Sequence, residues 1–112
     1  MSNKRKFLKF LFDKAVAAVQ PANFIAEHLP SYPRGKTIVI GAGKAAASMA
    51  RAVEDNWTAE LSGLVITPYK HSLACERIEV VEAAHPIPDS SGFNAARRIL
   101  TMVEDLSAKD LV

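Results

Sequence analysis

The sequence predicts an α/β fold in which a largely parallel sheet is flanked by helices, and three observations carry that prediction. Thr37-Ile38-Val39-Ile40 is a run of β-favouring residues that meets a glycine pair and passes at once into an alanine-rich stretch of strong helix propensity, giving a strand, a turn and a helix. Residues 63–67 and 77–83 form two further apolar runs of strand length, and a helical stripe follows the second. Leu111-Val112 reads as the opening of a fourth strand cut near its start, so residues 1–112 are expected to be a partial domain: a helical lead-in over 1–36, then strand-helix units over 37–112.

In the lead-in, residues 4–19 place apolar side chains at 8, 11, 12, 15, 16, 18 and 19, a stripe that should pack on something before Pro21 stops the helix. The basic start followed by Phe7 and Leu8 imitates a signal peptide, but Lys9, Asp13 and Lys14 interrupt the apolar run, so neither export nor a membrane span is expected. Residues 20–36 hold Pro21, Pro30, Pro33 and Gly35 and form a connector, in which Asn23 can cap a short helix ending at Leu29. After the glycine turn the helix should run to about Trp57, with Ala46, Met49, Ala50 and Val53 on its buried side. Strands 63–67 and 77–83 are separated by fewer residues than a parallel crossover normally needs, which leaves their pairing open. His85, Pro86 and Pro88 lie in a rigid loop, Asp89 or Ser90 can cap the next helix over 91–106, and Phe93, Ala96, Leu100 and Val103 should form its buried stripe. Ser107 to Asp110 is a polar turn.

At 112 residues the chain suffices for a single core, and 49% apolar with 23% charged residues excludes disorder. The net charge of +2 lies largely in Lys4, Arg5, Lys6 and Lys9, with no basic face interleaved with aromatics, so no nucleic-acid partner is expected. Cys75 is the sole cysteine, which rules out an internal disulfide and suits a reducing compartment such as the cytoplasm. His28, His71 and His85 lack metal-ligand spacing with one another or with Cys75, so no metal site is expected.

The chemistry concentrates in the glycine turn. Gly41 and Gly43 should let the backbone turn sharply and approach a ligand, while free N–H groups around Ala45 point at it and Lys44, in the first helical turn, opposes the helix dipole unless an anion compensates. Phosphate is the expected anion, although the same glycines could serve close helix-on-strand packing with Lys44 simply solvated. Gly41, Gly43 and Ala46 fit the loose dinucleotide fingerprint, but Tyr69-Lys70-His71 stands where its acidic residue belongs; Lys70 could instead answer the 2′-phosphate of NADPH. A P-loop is excluded, because Ile38 occupies its first glycine position and Ala45 follows the lysine. His85 sits at the carboxyl end of a strand, where open α/β sheets place ligands, though from the residues alone a histidine hydrogen-bonded to loop backbone is the commoner case.

Val39-Ile40-Gly41-Ala42-Gly43-Lys44-Ala45-Ala46, Gly63-Leu64-Val65-Ile66-Thr67, Glu82-Ala83-Ala84-His85-Pro86-Ile87-Pro88-Asp89 and Asp110-Leu111-Val112 resemble, in order and spacing, the amino-terminal part of the glycerate 2-kinase family. Members of that family also carry the name hydroxypyruvate reductase. The resemblance covers nearly the whole chain and implies ATP-dependent phosphorylation of D-glycerate at its 2-hydroxyl, in a cleft between a Rossmann-like domain and a second domain. It implies Lys44 as the active-site lysine, Gly41, Gly43, Ala45, His85 and Asp89 as phosphate- or substrate-binding residues, and ATP with magnesium, whose ligands lie mostly outside this chain. Family members are several times longer, and the glycine- and serine-rich loop expected directly after Val112, a later basic residue and the second domain are absent. Tyr69-Lys70-His71 replaces the Gly-His often found after the second strand. Residues 1–112 alone are therefore expected to be inactive and, with a sheet edge and helix faces uncovered, to associate as a homo-oligomer.

Overall fold

The computed structural model describes residues 2–112. In chain order it contains α1 (Asn3–Ala18), α2 (Pro21–Phe24) running into a 3-10 turn (Ile25–His28), β1 (Ile38–Ala42), α3 (Ala46–Asp55), β2 (Ser62–Pro68), β3 (Ile78–Ala83) and α4 (Ser90–Met102). The three strands form one parallel sheet in the order β1-β2-β3. Leu111 makes a parallel bridge to Thr37, with Ile38 N–H donating to Leu111 O at 2.9 Å and Leu111 N–H to Lys36 O at 2.8 Å. Thr37 O accepts from Ser62 N–H of β2, so the bridge occupies the opposite side of β1. The chain thus winds outward from β1 to β3 and then returns to the far side of β1, a reversal of strand order beside which open α/β sheets hold ligands.

Alternation along β3 separates the two helical layers. Ile78 and Val80 join Ala46, Ala50, Trp57, Leu61 and Val65 in the core beneath α3, whereas Glu79 pairs with Arg98 of α4 on the other face. Leu64 and Thr67 of the central strand are fully buried. At Gly63 the strands approach so closely that an added Cβ would stand 2.1 Å from Val39 O. Gly63→Ala is expected to destabilise the fold by about 2 kcal/mol, read as a lower urea midpoint at unchanged slope. Gly41→Ala is the contrast: its Cβ would meet Val65 Cγ1 at an ordinary 3.7 Å, and folding should be nearly unaffected.

The pairing of β2 with β3 is parallel, although the connection 69–77 contains no helix. It needs none because it lies against α3, already packed on that face. Glu54 of α3 accepts the backbone N–H groups of Glu76, Arg77 and Ile78 at 2.6, 2.8 and 3.0 Å. The Arg77 guanidinium in turn donates to the carbonyl of Glu54 in the last turn of the helix and to those of Trp57 and Ala59 beyond it, and Arg51 donates to Ala74 O.

Several local expectations are corrected. No residue of α1 is buried, and Phe7, Leu8, Phe12 and Val19 are each more than half exposed, so its apolar stripe finds no cover among the described residues. Pro21 opens α2 at its first position, and Asn23 is no cap: its amide reaches back to Ala17 O at 2.7 Å. Helix α3 ends at Asp55, with Ala47 and Ala52 buried and Met49 exposed. In α4 the buried position is Ala95, flanked by partly buried Gly92 and Ile99, while Phe93 and Leu100 of the expected stripe face solvent. The sequence offers two apolar stripes one residue apart, and close approach selects the smaller: a Cβ at Gly92 would touch Ala83 Cβ at 3.5 Å. No helix among the described residues is long and apolar enough to cross a membrane.

Candidate functional site

The turn after β1 differs in detail from a tight two-glycine loop. Pairing with Val65 and Ile66 carries β1 through Gly41 and Ala42, so Gly41 is a strand residue and the turn is made at Gly43, whose φ of +129° excludes ordinary side chains. Helix α3 begins at Ala46 with Ala45 as its N-cap, which places Lys44 in the turn ahead of the helix rather than in its first turn. The conflict with the helix dipole is accordingly relieved.

The backbone partners decide what the turn can offer. Gly43 N–H donates to Ile66 O at 3.0 Å and Ala46 N–H to Gly43 O at 3.1 Å, so both are engaged. The N–H groups of Lys44 and Ala45 have no backbone partner among the described residues, and both residues are exposed. The Lys44 side chain makes no ion pair or hydrogen bond among the described residues. Two free N–H donors and an uncommitted ammonium group at the carboxyl end of the sheet form a site with the chemistry of an anion receptor.

Two clefts meet at this turn. Gly41, Lys44 and Ala45 line one along α3, with Met49 and Val65. His85 lines the other, between the carboxyl ends of the strands, with Thr67 and Ala84. Gly43 is common to both, so the structure brings the glycine turn and the His85 loop to one place. His85 is exposed, and its bond to Pro86 is cis.

Asp89 has a different position. It caps α4, as one of the two expected residues, with Oδ1 accepting the N–H groups of Gly92 at 3.1 Å and Ala84 at 3.2 Å. Its Oδ2 accepts the Tyr69 hydroxyl at 2.6 Å. The Tyr69 bond, then those backbone bonds, hold the carboxyl below the usual aspartate range. Asp110 is lowered likewise by the N–H groups of Ser107 and Lys36, at the opposite end of the sheet. A carboxyl whose pKa is depressed by folding stabilises fully above its unfolded value, near 4, and loses that contribution as pH falls through the folded value. The urea midpoint is therefore expected to be flat from neutrality to about pH 5 and to fall below about pH 4. Asp89→Asn should remove part of that acid-side loss.

Sequence reasoning missed Tyr69 and Glu54. Nothing in their neighbourhoods marks them, because each acts on residues about twenty positions away.

Comparison with known proteins adds relatives. The family model described as "Domain of unknown function (DUF4147)" matches residues 7–112. An Agrobacterium vitis protein provisionally named hydroxypyruvate reductase is 45% identical over 109 residues, covering 96% of this chain and 25% of that protein. D-glycerate 2-kinase of Thermotoga maritima is 35% identical over 101 residues, covering 88% of this chain and 24% of the enzyme. Among crystal structures, a Pyrococcus horikoshii protein superposes with a TM-score of 0.80 at 30% identity, over 98% of this chain and 28% of that one. Glycerate kinase of Thermotoga maritima superposes with a TM-score of 0.75 at 30% identity, over 88% and 24%. The chain spans about a quarter of the length of the relatives it matches.

Proposed function

The chain belongs to the DUF4147 family, and from that premise we propose that it is the amino-terminal part of an ATP-dependent glycerate 2-kinase, which transfers the γ-phosphoryl group to the 2-hydroxyl of D-glycerate. One observation carries the reading: an uncommitted Lys44 and two free backbone N–H groups stand beside the reversal of strand order at the carboxyl end of the sheet. Phosphoryl transfer spreads charge over the equatorial oxygens of the moving group, and what it asks of a protein is positioned cations and N–H donors. Lys44 and the N–H groups of Lys44 and Ala45 supply these. Gly43 shapes the turn, and Gly41, as a strand residue, sets its position. His85, lining the neighbouring cleft that also holds Gly43, orients the carboxylate or hydroxyl of glycerate. Asp89, with both oxygens engaged, holds the His85 loop rather than the substrate.

When bound, ATP supplies the phosphoryl group. The described residues contain no group of three or more His, Cys, Asp or Glu that could hold a metal ion, and no step is routed through magnesium, whose ligands would lie mostly outside this chain.

The name borne by the Agrobacterium vitis relative supports a second reading, reduction of hydroxypyruvate with NADPH. The test uses a protein carrying this sequence together with the remainder of the family length. With ATP, magnesium and D-glycerate, a coupled assay should show phosphoglycerate formation, and hydroxypyruvate should cause no oxidation of NADPH. Steady NADPH oxidation exceeding any phosphorylation would replace the kinase reading. Residues 1–112 alone are expected to bind phosphate without turnover.

A further inference from the structure

Two loops lie side by side at the carboxyl end of the sheet. The one leaving β2 carries Tyr69, Lys70 and His71; the one leaving β3 carries His85 and leads into α4. Two ties join them. The Tyr69 hydroxyl donates to Asp89 Oδ2 at 2.6 Å, and Lys70 N–H donates to Glu82 Oε1 at 2.8 Å, with Lys70 held at a φ of +68°. Left-handed backbone at a non-glycine residue persists where its surroundings hold it, and here the second tie does so.

Capping α4 requires only Asp89 Oδ1, through Gly92 N–H. The bond from Tyr69 to the other oxygen is additional. It reaches, through one carboxylate, the N–H of Ala84, the residue immediately before His85. A charge-assisted bond of this length is among the stronger side-chain ties, and it is made outside the sheet ladder.

We propose that Tyr69 is a positioning residue for the β3–α4 loop, its hydroxyl acting through Asp89 to fix His85 at the mouth of the cleft shared with Gly43. The proposal rests on the reading of His85 as the substrate-orienting group. Tyr69 itself touches no reacting atom; it sets where the histidine stands.

The test compares wild-type 1–112, Tyr69→Phe, Asp89→Asn and the double variant by NMR. Tyr69→Phe should speed amide exchange at Ala84 about tenfold, as expected for loss of one bond to a charged acceptor, while amides of β1 and β2 keep wild-type rates. It should also loosen the His85 ring, seen as a lower order parameter from relaxation of its Cε1–H, a readout that helix capping alone does not move. In the Asp89→Asn background Tyr69→Phe should add nothing further, because the hydroxyl acts through that carboxylate. Unchanged Ala84 exchange in Tyr69→Phe overturns the proposal. So does faster exchange with an unchanged His85 ring, which would make Tyr69 a structural tie only. Titration of the same samples with inorganic phosphate is a separate arm: a wild type whose 44 and 45 amides ignore phosphate removes support from the kinase reading and leaves the exchange and ring measurements to decide on Tyr69.

Discussion

Glu54→Ala is expected to lower the stability of the chain by about 3 kcal/mol, a large share of what a domain of this size has. Glu54 is only 9% exposed, and its carboxylate accepts three consecutive backbone N–H groups where the connection 69–77 becomes β3. Burial works against its ionisation, but those three bonds and the charge of Arg77 outweigh it and leave its pKa below the usual glutamate value. Truncation strands three donors at the edge of the core and removes the charge that faces Arg77. Glu54→Gln keeps an acceptor oxygen and should cost roughly half as much. Urea unfolding followed by circular dichroism measures the total, and amide exchange at Ile78 shows whether β3 loosens first. A change below about 1 kcal/mol for Glu54→Ala would mean that the helix-free crossover is held by something else.

Lys44→Met is expected to have the largest effect on activity. In a protein with this sequence and the rest of the family length, kcat for glycerate phosphorylation should fall by about 10² to 10³-fold, the range for removing one preorganised group that meets transition-state charge. The melting temperature should stay near that of the wild type, because Lys44 is exposed and its side chain has no partner among the described residues. Lys44→Arg keeps the charge with a different shape and should fall between the two. Unchanged turnover in Lys44→Met would take Lys44 out of the mechanism.

The βα unit at the centre of the fold was legible because its signals are local: β-branched residues, glycine and an alanine-rich helix follow one another within fourteen positions. The division of labour between its glycines was not. Gly41 belongs to the strand because its register against Val65 extends the ladder, and Gly43 turns because its N–H is held by Ile66 O, both facts of the neighbouring strand. The parallel pairing of β3 was hidden for the same reason, since Glu54 and Arg77 replace a crossover helix through contacts across the fold. In α4 composition allowed two apolar stripes, and only the fit of Gly92 against Ala83 selects one. Asp89 was legible as a cap, whereas its bond to Tyr69 was not. Periodicity alone also could not show that the stripe of α1 finds no cover within these residues.

The central claim, that the turn at Lys44 and Ala45 receives a phosphoryl oxygen, is tested most directly by titrating 15N-labelled 1–112 with inorganic phosphate. The amides of Lys44 and Ala45 should shift together and saturably, those of Gly43 and Ala46 less because their N–H groups are engaged, and Lys44→Met should weaken the midpoint. Saturable shifts elsewhere in the chain with 44 and 45 unmoved would contradict the claim.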